Sequence, residues 1–246
     1  MQDLSNNAID VWCLPLSVLP ADLTSLAALL DAEERARAAR FLHQEEASAF
    51  IVAHAAARIL LARYLHTAPE ILRYGYALKG KPYLLEPAGT PPLHFNFART
   101  KGFAVFAFTR SGEIGVDVEK MAVAPPPEIV RRALSPAEHT VLHGLDPARA
   151  DAAFFALWAR KEAVIKTRGD GLSVPPSEIE VHDIQGVRLR GALQPQYRLQ
   201  DFIAGAGYAA AVCVETTSSQ EMPKISVGKL SAIALCHGDF DSGTHP

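Results

Sequence analysis

Apolar residues recur at intervals of three and four from Thr24 to about Leu42 and again from Glu45 to Leu65, the spacing of two amphipathic helices. A weak alternation over 8–14 reads as a strand ahead of them. After Pro69 the period drops to two. "LHFNF", "FAVFAF" and "EIGVDVE" are short β-rich runs parted by Gly, Lys and Ser, which predicts consecutive strands in antiparallel hairpins. Pro125, Pro126 and Pro127 then break regular structure and mark a junction between two halves. Beyond it, "SPAE" at 135–138 is a capping box with proline at the first helical position. A longer helix is predicted from after Asp146 to near Gly169, followed by strand-like pieces around 178–183, 187–190 and 207–214. The division expected is 1–118, 119–215 and a tail, 216–246, which lacks periodicity and is taken as appended or loosely ordered.

Composition narrows the classes. With 49% apolar and 21% charged residues over 246 positions, the chain is globular rather than disordered. A formal net charge of −3 leaves no footprint for bulk nucleic-acid binding, so any anion site must be local. "AHAAARILLARYL" is interrupted by Arg58 and Arg63 and is not expected to span a bilayer, and the first residues carry no signal-peptide pattern. Cys13, Cys213 and Cys236 form neither a CxxC pair nor an even set, which fits reduced structural thiols and a cytoplasmic protein. The helix charges Arg35, Arg37, Arg40, Arg58 and Arg63 read mainly as a solvated basic face.

Candidate chemistry begins at "GVDVEK", 115–120. Residues two apart on a strand share a face, so Asp117 and Glu119 converge while Val116 and Val118 pack behind them. Such a pair either shows charge to water on an edge strand or supplies hard oxygen ligands to a divalent cation. On the long helix, Lys161 shares the apolar stripe of Phe154, Leu157, Trp158 and Ile165; it either snorkels past the core edge or neutralises a buried anion. Glu162 and Lys166 stand four apart and could be no more than a surface ion pair. "GAGYAA" at 205–210 runs into a strand rather than a helix, which rules out a dinucleotide fingerprint. His139 and His143 share a helix face, but nothing completes a zinc site there.

Taken in order, "GKP" (80–82), "HFN" (94–96), "GVDVE" (115–119) and "WARKEAVIK" (158–166), followed by "GDGLSVP", resemble the Sfp-type phosphopantetheinyl transferases over about residues 10–215. The resemblance implies an α+β fold of two similar subdomains, helices packed on small antiparallel sheets about a pseudo-twofold axis. It implies Mg²⁺-dependent transfer of the phosphopantetheine arm of coenzyme A to a serine of an apo acyl- or peptidyl-carrier protein, releasing adenosine 3′,5′-bisphosphate. By position, Asp117, Glu119 and Glu162 would hold the metal, and Glu162 and Lys166 would be catalytic. Arg37, Lys81, Pro82, Arg99, Thr100, Lys161 and Lys166 would contact coenzyme A. The family's Ser-His-Ser-like element after "FN" is replaced by Ala98, Arg99 and Thr100, with Arg99 in the histidine's place. A monomer is expected, with no nucleic-acid or membrane partner. Two other classes stay open: a non-catalytic coenzyme A or carrier-protein binding module, and a Mg²⁺-dependent pyrophosphate hydrolase.

Overall fold

Two long helices each cover one face of a sheet, and the sheets meet back to back. The computed structural model describes residues 4–5, 7–16, 23–85, 92–121, 125–169, 171–183, 186–216 and 222–237. In chain order come β1 (Ala8–Pro15), α1 (Thr24–Leu29), α2 (Ala32–Ala38), α3 (Gln44–Tyr64), β2 (Tyr74–Tyr76), β3 (Pro82–Leu84), β4 (His94–Thr100), β5 (Phe103–Thr109) and β6 (Ile114–Lys120). Then follow α4 (Pro127–Ala133), α5 (Pro136–His143), α6 (Pro147–Arg168), β7 (Ile179–Asp183), β8 (Gly186–Leu189), β9 (Ala192–Leu193), β10 (Tyr197–Asp201), β11 (Tyr208–Glu215), β12 (Lys224–Lys229) and α7 (Ala232–His237).

The first sheet has the order β12-β1-β5-β4 and the second β10-β11-β6. Strand alternation sorts their side chains into three cores. On β5, Ala104, Phe106 and Phe108 pack towards α3, while Phe103, Val105 and Ala107 pack between the sheets against Val116 and Val118 of β6. On β11, Ala211 and Cys213 face α6, and Ala210, Val212 and Val214 face the first sheet. Both sheets are therefore buried on two faces, which accounts for the unbroken apolar run of β5.

Several elements depart from expectation. The stretch 24–42 is two helices, because Leu30 is extended and Asp31 opens a new helix in a capping box with Glu34. β4 and β5 form the expected hairpin, but β6 leaves them and pairs with β11, Asp117 opposite Ala211. The expected cut at 118/119 thus falls inside β6. Pro127 starts α4 rather than ending structure, since a proline in the first turn forfeits no helical hydrogen bond. The expected loose tail, 216–246, is corrected where it is described, over 222–237; 217–221 and 238–246 lie outside the described residues. Its residues 224–229 form β12, parallel to β1 from Ala8 to Cys13, and Gly228 lies under the Trp12 ring. The side chain of Cys236 lies outside the described residues, as does Asp170 of "GDGLSVP".

Burial also revises the basic face. Arg58, 1% exposed, donates to Glu34, to Asp31 and to the Leu72 carbonyl, and so ties α3 to the α2 cap. By length and composition α3 could cross a membrane, but 67% of its apolar window is buried inside the protein.

Candidate active site

One close approach positions the acidic cluster. A Cβ on Gly115 would lie 2.2 Å from the Ala163 carbonyl oxygen and 2.4 Å from the Thr167 amide nitrogen, so only glycine lets β6 press onto the backbone of α6. Two turns of α6 then lie along Asp117 and Glu119. The helix stops where expected, at Gly169, which takes the left-handed conformation (φ 71°) suited to glycine.

Asp117 is buried, 4% exposed, which overturns the solvent-facing edge-strand alternative. Lys166 Nζ donates to its Oδ1 at 2.5 Å, while its Oδ2 is buried with no hydrogen-bond partner among the described residues. Trp158 Nε1 donates to Glu119 Oε1 at 3.0 Å, which gives the tryptophan of the motif a task. Burial, reinforced by Asp117 and Glu162 and only partly offset by Trp158 and Lys166, pushes the Glu119 carboxyl up to about 7. Burial raises Asp117 against the pull of Lys166, and burial plus Asp117 raises Glu162. The three carboxylates thus share one electrostatic environment with too little positive charge in it. Among the described residues no three acidic, histidine or cysteine side chains are already gathered as a ligand set. The orphan oxygen and the raised acids nevertheless suit an added hard cation.

Lys166 also faces a cleft of about 430 Å³ lined by Arg37, Arg40, Arg99, Phe41, Phe50, His54 and Phe97. Arg99 stands 5.3 Å over the Phe41 ring and Arg37 5.6 Å over the Phe50 ring, so aromatic faces hold two guanidinium groups beside the opening. Thr100 does not line this cleft. Phe97, Ala98 and Arg99 supply the wall from β4, and Thr100 is the last residue of the strand, just past it. Lys81 and Pro82 line a second cleft of about 410 Å³ with His94, Glu113 and Arg168. Lys81 Nζ donates to Glu113 at 2.6 Å and to the Thr167 carbonyl at 3.0 Å. Hydrogen bonding from His94 and Lys81, against the opposing effect of burial, holds the Glu113 carboxyl down to about 2.

Lys161 is not in either cleft. Fully buried, it donates to Glu138 at 2.5 Å and to the Ala133 and Pro176 carbonyls, both at 2.9 Å. Of the two roles read from its place on the stripe, neutralising a buried anion is the one observed, and this placement lends no support to the coenzyme A contact that the resemblance implies. Sequence reasoning also missed residues. Asn96 of "HFN" accepts the Val116 amide at 3.0 Å and stitches β4 to β6. His54 and Phe50 stand four apart on α3, a spacing visible in the sequence but lost in a helix that is apolar all round.

The profile of the 4′-phosphopantetheinyl transferase superfamily matches residues 113–213. The 4′-phosphopantetheinyl transferase HetI of Nostoc sp. is 29% identical over 213 residues, 86% of this chain and 89% of its own length. Sfp of Bacillus subtilis strain 168 is 29% identical over 185 residues, 74% and 80% of the two chains. A further 4′-phosphopantetheinyl transferase of Bacillus subtilis reaches 31% over 203 residues, 81% of this chain and 87% of the relative. Identity at that level, sustained over most of both sequences and joined to the acidic cluster beside a basic cleft, means that this chain belongs to the 4′-phosphopantetheinyl transferase family.

Proposed function

We propose that the chain moves the phosphopantetheine arm of coenzyme A onto a serine hydroxyl of an apo acyl- or peptidyl-carrier protein, with Mg²⁺, releasing adenosine 3′,5′-bisphosphate. The observation that carries this is Lys166, which touches Asp117 and also lines the arginine cleft. A ligand with a pyrophosphate next to a separate phosphate fits such a junction. Arg37, Arg40 and Arg99 would grip the terminal phosphate through forked donors. Asp117, Glu119 and Glu162 would hold Mg²⁺, which when bound neutralises charge on the pyrophosphate. Glu162, held neutral more readily than an exposed acid but ionised beside a cation, would accept the proton of the serine hydroxyl. The serine oxygen bonds to the phosphorus bearing the pantetheine, the bond from that phosphorus to the bridging oxygen breaks, and Lys166 meets the charge left on the departing bisphosphate. The cleft lies within one chain, which supports a monomer, and we place the protein in the cytoplasm with its carrier.

The test is mass spectrometry of an apo-carrier panel incubated with coenzyme A, Mg²⁺ and this protein. Gain of the arm is expected on at least one carrier; tight coenzyme A binding without modification of any would leave a binding module instead.

A pH signature accompanies the acidic cluster. Glu119 is raised in the fold from 4.5 to about 7, so the unfolded chain releases its proton first as pH rises. The stability it contributes is fully present below about 4.5 and lost as pH passes about 7. Thermal midpoints in EDTA should therefore fall from about pH 4.5 to about 7 and level off above it, and millimolar Mg²⁺ should flatten the fall. Identical profiles with and without Mg²⁺ would count against the metal assignment.

A further inference from the structure

Among the guanidinium groups and phenyl rings of the arginine cleft stands one imidazole, that of His54. Its Nδ1 lies 2.8 Å from Glu34 Oε1. Glu34 is itself buried, and although burial raises its carboxyl, bonds from His54 and the Asp31 amide and the charge of Arg58 bring it below the ordinary value. A carboxylate so held accepts, which places the imidazole proton on Nδ1 and leaves a lone pair on Nε2. The ring cannot easily turn to change this. It stacks on Phe50 with centroids 3.8 Å apart and meets Phe97 edge-on at 5.1 Å.

Charged groups face His54 from every side: Glu34 and Arg37 from α2, Arg40 just beyond it, Arg58 from the next turn of α3, Arg99 from β4, and Lys166 across the cleft. Without ligand, burial, Arg37 and Arg99 outweigh Glu34 and keep the imidazole neutral at physiological pH. A phosphate dianion reverses the sign of the nearest charge. It would also set phosphate oxygens against the Nε2 lone pair, two acceptors with no hydrogen between them.

We propose that His54 is a binding residue for the terminal 3′-phosphate of coenzyme A, and that docking of this phosphate captures one proton from solvent between Nε2 and a phosphate oxygen. The proton converts a clash of two acceptors into a charge-assisted hydrogen bond, whichever atom formally carries it. A phosphate monoester loses its second proton near pH 6, so above neutrality the proton must come from solvent. This deepens the reading of the cleft as the seat of that phosphate and rests on it. The consequence is that preference for coenzyme A over dephospho-coenzyme A weakens as pH rises, by up to about tenfold per unit above pH 7.

The experiment is calorimetry of the full chain with coenzyme A and with dephospho-coenzyme A, at pH 6 to 8.5, in buffers of different ionisation enthalpy. Proton uptake is expected with coenzyme A beyond that with dephospho-coenzyme A; the difference cancels titration at the acidic cluster, which both ligands share. His54→Gln should abolish the excess uptake and flatten the pH dependence of the preference. Equal affinity for the two ligands would overturn the cleft reading itself. A preference without excess uptake, or uptake that persists in His54→Gln, would overturn the role of His54 and leave the cleft reading standing. Should that variant not fold, imidazole ¹⁵N spectra of the wild-type chain decide: Nε2 must change from bare to hydrogen-bonded with coenzyme A and not with dephospho-coenzyme A.

Discussion

Glu162→Gln should fold, bind coenzyme A and leave the carrier protein almost unmodified, with kcat down about 10²–10⁴-fold, the range lost with a general base. The amide keeps the shape of the side chain but can neither take the serine proton nor oppose a cation with full charge. Unfolding will not explain the loss. The native Glu162 carboxyl is raised by burial and by Asp117, so its charge is a burden on the fold that glutamine removes. Asp117→Asn should behave alike, because its Oδ2 already lacks a partner while an amide oxygen can still accept from Lys166. Single-turnover mass spectrometry of the carrier, with the melting temperature measured beside it, checks both. Near wild-type turnover in either variant would mean that the acidic cluster is not where the chemistry happens.

Lys161→Met is expected to do the opposite: cost about 3–5 kcal/mol of stability and leave the affinity of the folded fraction for coenzyme A unchanged. The lysine is 0% exposed and its ammonium answers Glu138, which also accepts the Ser135 amide at 2.8 Å and so closes the cap of α5. Removing the cation strands a carboxylate in the core between α5, α6 and β7. Adding Glu138→Gln to Lys161→Met should return part of the loss, since a neutral amide can keep the cap without a buried charge. Urea unfolding reads the stability and calorimetry the affinity. A variant of normal stability that no longer binds coenzyme A would restore Lys161 to the ligand site.

Much of this site could be read from local order. Asp117 and Glu119 share a face because strand geometry has a period of two, and the end of α6 is written in Gly169. Glu162 and Lys166 follow on the helix at a spacing that any α-helix imposes. What local order does not carry is partnership across the fold. The stripe placed Lys161 in the core without revealing Glu138, 23 residues earlier, as the anion it meets. Thr100 was grouped with Arg99 as its neighbour, though the cleft wall stops one residue short of it. His54 hid in "IVAHAAARILL", where residues are buried on every side and periodicity names no face. The same limit hid β12, whose six residues align with a strand over two hundred positions away.

That last pairing ties the timing of folding to the order of synthesis. β5 and β4 can zip together as soon as they are made, but β1, translated first, waits with one edge open until Lys224–Lys229 arrive. Closing so long a loop is slow relative to the local contacts of α6. The chain's two tryptophans separate the events: Trp12 rests on Gly228 of the late strand, and Trp158 bonds to Glu119 beside α6. In refolding, fluorescence of a chain keeping only Trp158 should settle first, and that of a chain keeping only Trp12 should mark the moment the arginine-bearing sheet is sealed.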